Sequence, residues 1–211
     1  MLGPVLGPVL GPVTGAGPVL TLALTALAIM GSPGPVTVSL TAAGAAFGVR
    51  RSAGYLAGIV LGTSAVLVAV ATGLTALLLS LPAVRPALLG ASAAYLLWLA
   101  YHLATGPAGP PASATARPPA LAAGALLGVA NPKGWVAIAA VFGSARLATT
   151  PAVDATAKVA VLEAMIVLIT TGWLLAGASL STVLYHPRRA RAVNVLLALA
   201  LVATTAAALA G

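Results

Sequence analysis

The chain has 211 residues, of which 61% are hydrophobic and only 6% charged, and its mean hydropathy is +1.12. Soluble domains carry roughly 25% charged residues, so the composition excludes an ordinary soluble domain and defines a polytopic membrane protein. The net charge of +8 comes from basic residues spread thinly between apolar runs. That is the pattern of loops obeying the positive-inside rule and not of a nucleic-acid-binding surface. No cysteine is present, which excludes disulfides and thiol redox relays.

Residues 1–18 read as a low-complexity extension, in which Leu2-Gly3-Pro4-Val5 recurs at 6–9 and 10–13. A Gly/Pro repeat does not support a regular helix. With no Lys or Arg it also lacks the charged start of a secretory signal peptide. Six apolar segments follow, at 19–47, 53–81, 87–104, 120–142, 159–184 and 192–210. A bilayer crossing takes ~20 residues of helix, so the expected fold is all-α with six transmembrane helices. The proline-rich stretch 105–119 is the one long linker. It divides the chain into a three-helix unit at 19–104 and a second at 120–211. Three helices per unit is an odd number, so any repeat between the units runs inverted across the membrane.

Orientation follows from the basic residues. The loops after the first, third and fifth segments hold Arg50, Arg51, Arg117, Arg188, Arg189 and Arg191. Those after the second and fourth hold only Arg85, Arg146 and Lys158, with Asp154 among them. The richer set belongs in the cytoplasm, which places both termini outside.

The first segment is interrupted by Ser32-Pro33-Gly34-Pro35. Two prolines around a glycine remove backbone donors and cannot continue a helix. In a membrane such a break survives only where protein or a watery cavity satisfies the freed polar groups. It is therefore a candidate binding site: exposed backbone, the Ser32 and Thr37 hydroxyls, and a helix N-terminus restarting near Pro35 suit the polar head of a small zwitterion. The fourth segment carries Asn131-Pro132-Lys133-Gly134 at its middle. The two breaks thus occupy comparable depths in the first helix of each unit, a recurring plan of secondary transporters.

Lys133 lies too deep for easy escape to either interface, and a lysine at membrane depth costs ~2.5–3.5 kcal/mol on insertion scales. Its candidate partners are a substrate carboxylate, Glu163, or the carbonyls of a broken helix. Asn131 offers both a donor and an acceptor to a ligand, or caps the half-helix beginning at Pro132. Glu163, the one acid inside an apolar run, falls about one turn beyond residue 159, near the outer surface. It is the candidate for proton coupling, since burial raises a carboxyl toward neutral pH. Asp154 reads as a solvated loop residue. Thr170 and Thr171 in the fifth segment offer polar lining or bond back within their own helix.

Gly54, Gly58 and Gly62 recur every fourth residue in the second segment, as do Gly124 and Gly128 in the fourth. Small faces let membrane helices approach closely, within one chain or in a homodimer. Tyr95, Trp98, Tyr101 and His102, and later Tyr185 and His186, suit interfacial belts. The two histidines form no metal-spaced cluster with any acid, so no metal and no cofactor is expected.

With these motifs in place the chain resembles the lysine exporter (LysE/RhtB) family of amino-acid translocators. The resemblance rests on Ser32-Pro33-Gly34-Pro35, on Gly48-Val49-Arg50-Arg51 with Gly54, on Gly90 to Leu97, and on Gly128 through Lys133. It implies efflux of amino acids or close derivatives by proton antiport from the plasma membrane, with Pro33, Gly34, Pro35, Asn131, Pro132 and Lys133 in the signature. Members often carry a polar residue after Pro-Gly-Pro, where this chain has Val36. The expected partners are lipid, an amino-acid substrate and protons. A single intramembrane acid disfavours a dicationic substrate and metal transport. The competing classes are a membrane scaffold or sensor, and an intramembrane enzyme, for which neither an activated nucleophile nor a metal cluster is visible.

Overall fold

The computed structural model describes residues 15–73 and 119–184, with scattered positions between 90 and 105 and between 191 and 206. Among the described residues five helices are delimited: α1 (Ala16–Met30), α2 (Pro35–Ala71), α3 (Leu121–Ala130), α4 (Pro132–Gly143) and α5 (Pro151–Leu184). No strand occurs among the described residues. Repeat residues 1–14, most of the linker 105–119, most of the third and sixth segments and all the aromatic-belt residues except the exposed Tyr101 lie outside them. α1 starts earlier than the Gly/Pro composition suggests, taking in Gly17 and Pro18. Both stand in its first turn, where the missing proline N–H would have no intrahelical acceptor anyway.

α2 is one helix in name only. At Gly48 the backbone turns to φ 73°, ψ 172°, a left-handed φ that a residue with a side chain rarely takes. Past this point the chain folds back on itself. The Ser52 hydroxyl donates to the Ala43 carbonyl at 3.1 Å, and the Tyr55 hydroxyl bonds the Ser39 hydroxyl at 3.1 Å. Residues 35–47 and 49–71 are therefore antiparallel arms, matching the expected first cytoplasmic turn. The second arm ends at Ala71, short of the expected residue 81, with Gly73 at φ 74° just beyond.

The expected 120–142 helix is broken at Asn131, where α3 and α4 meet at 59°. By length and hydropathy α5 can cross a membrane; within the apolar α2 the turn at Gly48 leaves the second arm, 49–71, as the part long enough to do so, and the bent α3–α4 pair makes a third candidate. α5 begins at Pro151, eight residues before the expected start. Asp154 accepts the backbone N–H groups of Leu147 and Ala148 at 2.5 and 3.2 Å and pairs with Lys158 at 2.7 Å. It is thus no solvated loop residue: it ties the 144–150 turn to the first turn of α5, where a carboxylate also suits the helix dipole. Lys158 is only 7% exposed and lies over the Phe142 ring at 5.1 Å.

Packing divides into two apolar clusters. Leu22, Leu67, Ile138, Leu162 and Ile166 join α1, the second arm of α2, α4 and α5. Val36, Leu40, Tyr55, Ile59, Leu127 and Leu174 join both arms of α2 to α3 and α5. Outward faces carry Leu126, Val136, Leu168 and Leu20, all more than half exposed. Water would oppose such apolar faces and lipid does not.

Glycines set the closest crossings. A Cβ on Gly58 or Gly62 would strike the backbone of Leu121 or Ala125, and one on Gly124 or Gly128 the backbone of Tyr55, Ile59 or Thr63. Four of the five periodic glycines thus pack α2 against α3 inside one chain and are taken from the expected dimer surface; Gly54 alone faces open space. Gly44 and Gly177 make an equivalent contact between the first arm of α2 and α5. This crossing has no repeat in the sequence to announce it.

Candidate functional site

The first break leaves α1 ending at Met30 and α2 beginning at Pro35, so backbone carbonyls at the end of α1 lose their helical donors. Four carbonyls at the break are met by side chains. The Ser32 hydroxyl donates to the Ile29 carbonyl at 2.8 Å, and the Trp173 indole N–H of α5 donates to that of Gly31 at 3.1 Å. Lys133 Nζ donates to the carbonyl of Ser32 and, at 2.9 Å, to that of Pro33. Of the three partners open to Lys133, the broken-helix carbonyls are the ones it holds. The ammonium also sits at the negative end of α1, where a cation is favoured.

Gly34 makes this seat. Its backbone is fully extended at φ −172°, ψ −176°, so its importance is space alone. A Cβ there would stand 2.7 Å from Lys133 Cδ and 3.1 Å from Nζ. Pro35 then opens α2 at a position where no donor is needed. Thr37 closes the turn, its hydroxyl accepting the Gly34 N–H at 2.8 Å and donating to the Gly34 carbonyl at 3.0 Å.

The second break is simpler. Asn131 is held at φ −76°, ψ 106°, the extended region enforced before proline, and Pro132 starts α4. Trp135 repairs the exposed carbonyls, donating its indole N–H to Val129 at 2.7 Å and its backbone N–H to Asn131 at 3.3 Å. The Asn131 side chain makes no cap, one of its two expected roles. It is 8% exposed, and its Oδ1 has no partner.

The two breaks share a cavity of about 50 Å³. Gly34, Thr37, Asn131 and Lys133 line it, together with Thr63, Thr170 and an apolar wall that includes Ile138, Ile166 and Ile169. Such a volume holds a few water-sized groups. Two helix N-termini, those of α2 and α4, open at its edge with backbone N–H groups that have no intrahelical acceptor. A cation, two positive helix ends and an orphaned amide make a small site suited to an anionic group joined to a hydrogen-bond donor.

Several expected site residues act indirectly. Ser32 and Thr37 turn their hydroxyls to their own backbone, so neither is the free hydroxyl expected. Ser32 and Pro33 contribute carbonyls, while Pro35 and Pro132 shape the breaks. Glu163 lies outside the cavity lining and apart from Lys133; its Oε1 is 2.8 Å from the Ser64 hydroxyl. Because α5 starts at Pro151, Glu163 stands twelve residues into the helix, about 18 Å along its axis. It is thus three turns inside α5 and not the single turn expected from a start at residue 159. Thr170 lines the cavity and also bonds back to the Ile166 carbonyl, so both roles expected of it are met; Thr63 and Trp173 were not singled out.

Fold and site together define a class: an α-helical membrane protein whose two proline-broken helices meet over a lysine and a small, largely apolar cavity with a few polar groups. A family model for the LysE type translocator matches residues 27–210, and the chain belongs to that family. It is therefore a translocator of amino acids or related compounds, a transporter and not an enzyme. No curated protein and no solved structure matches the chain.

Proposed function

We propose that this protein is a secondary exporter carrying small neutral amino acids, or close derivatives, out of the cytoplasm across the plasma membrane in exchange for protons. Six transmembrane helices arranged as an inverted three-plus-three repeat, 19–104 and 120–211, give the two breaks equivalent places near the membrane midplane. The observation that carries the reading is Lys133, held at the meeting point of both breaks beside a cavity edged by two helix N-termini.

In this reading the substrate carboxylate competes with the Ser32 and Pro33 carbonyls for the Lys133 ammonium. Capture of the ammonium frees the carbonyls of the first break and loosens the contact between the breaks. Substrate binding and rearrangement of the two units are thereby coupled through one side chain, as a shift between states with different affinity for the ligand. Glu163, three turns inside α5 and bonded to Ser64, is the proton carrier.

The test is efflux. Cells loaded with amino acids supplied as dipeptides are compared with and without expression, and external amino acids are followed over time. Faster accumulation of one or more small neutral amino acids is the expected result. No difference for any amino acid rejects the exporter reading.

A further inference from the structure

Asn131 Oδ1 is an amide acceptor, more than nine-tenths buried, with no hydrogen-bond partner. Buried acceptors are paired in native proteins, so one left open beside a cavity invites a donor from outside the protein. The buried Thr170 lines the same cavity. Its hydroxyl hydrogen is committed to the Ile166 carbonyl at 2.6 Å, so it offers a ligand only oxygen lone pairs. Lys133 is the opposite: three donors and no acceptor. The cavity thus has two acceptor oxygens, Asn131 Oδ1 and Thr170 Oγ1, and a cationic pole at Lys133, with Asn131 and Lys133 separated along the chain by Pro132 alone.

We infer that Asn131 Oδ1 receives the α-ammonium group of the transported molecule, with Thr170 Oγ1 as a second acceptor, while Lys133 takes the carboxylate. The inference rests on the exporter reading above and gives its site a selectivity. An α-ammonium stands one carbon from its carboxylate and supplies the donors that the two acceptor oxygens lack. A carboxylic acid without an amino group leaves Oδ1 orphaned, and sites built to bond a group reject the analogue that lacks it.

Two further features sharpen the substrate class. No carboxylate lines the cavity among the described residues, so a second, side-chain cation would find no counter-charge there. Its apolar wall and volume of about 50 Å³ suit a short aliphatic side chain. Gly134 leaves the amide its room, since a Cβ there would lie 3.3 Å from Asn131 Nδ2.

The experiment uses full-length protein in liposomes preloaded with labelled alanine. Counterflow is driven by external alanine or by propionate, the same acid without its amino group. Wild type is expected to prefer alanine by about tenfold or more. Asn131→Leu, of similar size but without the acceptor, brings alanine down to the level of propionate and leaves propionate unchanged. Gly134→Ala, which crowds the amide without replacing it, lowers the same ratio and serves if Asn131→Leu does not accumulate. An unchanged alanine-to-propionate ratio in the variants that accumulate overturns the inference. The exporter reading then still stands, provided that wild type exchanges alanine and Lys133→Ala weakens both compounds. Absence of alanine counterflow by wild type overturns the inference as stated, and the dipeptide efflux panel separately decides the exporter reading.

Discussion

Gly34→Ala tests the seat of Lys133 without touching the lysine. Alanine adopts the extended backbone of Gly34 (φ −172°, ψ −176°) without strain, so only space is changed. The new Cβ would stand 2.7 Å from Lys133 Cδ, whereas carbon atoms prefer about 3.5–4.0 Å. The lysine stem must therefore move by about 1 Å, which a flexible side chain can do at little cost to the fold. Its ammonium then leaves the Ser32 and Pro33 carbonyls. Hydrogen bonds to a charged group contribute about 1.5–3 kcal/mol each; with water reaching the cavity, a net loss of about 2 kcal/mol is expected. At about 1.4 kcal/mol per tenfold, the resting contact between the breaks should weaken by more than tenfold; with capture of the carboxylate no longer coupled to rearrangement, efflux from dipeptide-loaded cells should fall while the protein accumulates normally. Because both substitutions act through one side chain, Gly34→Ala combined with Lys133→Ala should export no worse than Lys133→Ala alone. Wild-type efflux by Gly34→Ala, or additive losses in the double variant, would refute the reasoning.

The other predictions concern the frame and the proton. Gly128→Val drives a side chain into the Ile59–Thr63 backbone, where a Cβ already meets the Ile59 carbonyl oxygen and the Thr63 nitrogen at 2.8 Å. Overpacking against backbone should cost at least about 1–3 kcal/mol, seen as a lower melting temperature of the detergent-solubilised protein. A Gly54→Val control, facing open space, should melt as wild type. Asp154→Ala leaves the buried Lys158 unpaired and frees the 144–150 turn, a loss of about 3 kcal/mol; proteolysis confined to that turn would report it. Glu163→Gln keeps a hydrogen-bonding partner for Ser64 but cannot carry a proton. Its efflux should lose dependence on an imposed pH gradient, and unchanged dependence would remove Glu163 from the coupling.

The parts of this molecule legible in the sequence are those written in backbone chemistry. Pro33, Pro35 and Pro132 announce both helix breaks because proline cannot donate, and Gly48 marks the turn between the arms of α2. Which of its three candidate partners Lys133 holds was not legible, since backbone carbonyls of a broken helix carry no residue signature to favour them. The start of α5 was misplaced because Asp154 and Lys158 interrupt the apolar run. One helical turn apart, they neutralise each other and let the helix continue. That eight-residue error moved Glu163 from the first turn of the helix to three turns inside it. The glycine repeats signalled close packing but not its partner, while Gly44 with Gly177 and Trp173 with Gly31 join positions more than 130 residues apart without any local pattern.

The central claim is that one lysine, seated between two broken helices, handles the substrate carboxylate. Its most direct test is export by Lys133→Ala in dipeptide-loaded cells, measured at matched amounts of membrane-inserted protein. Loss of amino-acid efflux with normal insertion is the expected result. Efflux at the wild-type rate would contradict the account and leave Lys133 as a structural clamp on the Ser32 and Pro33 carbonyls.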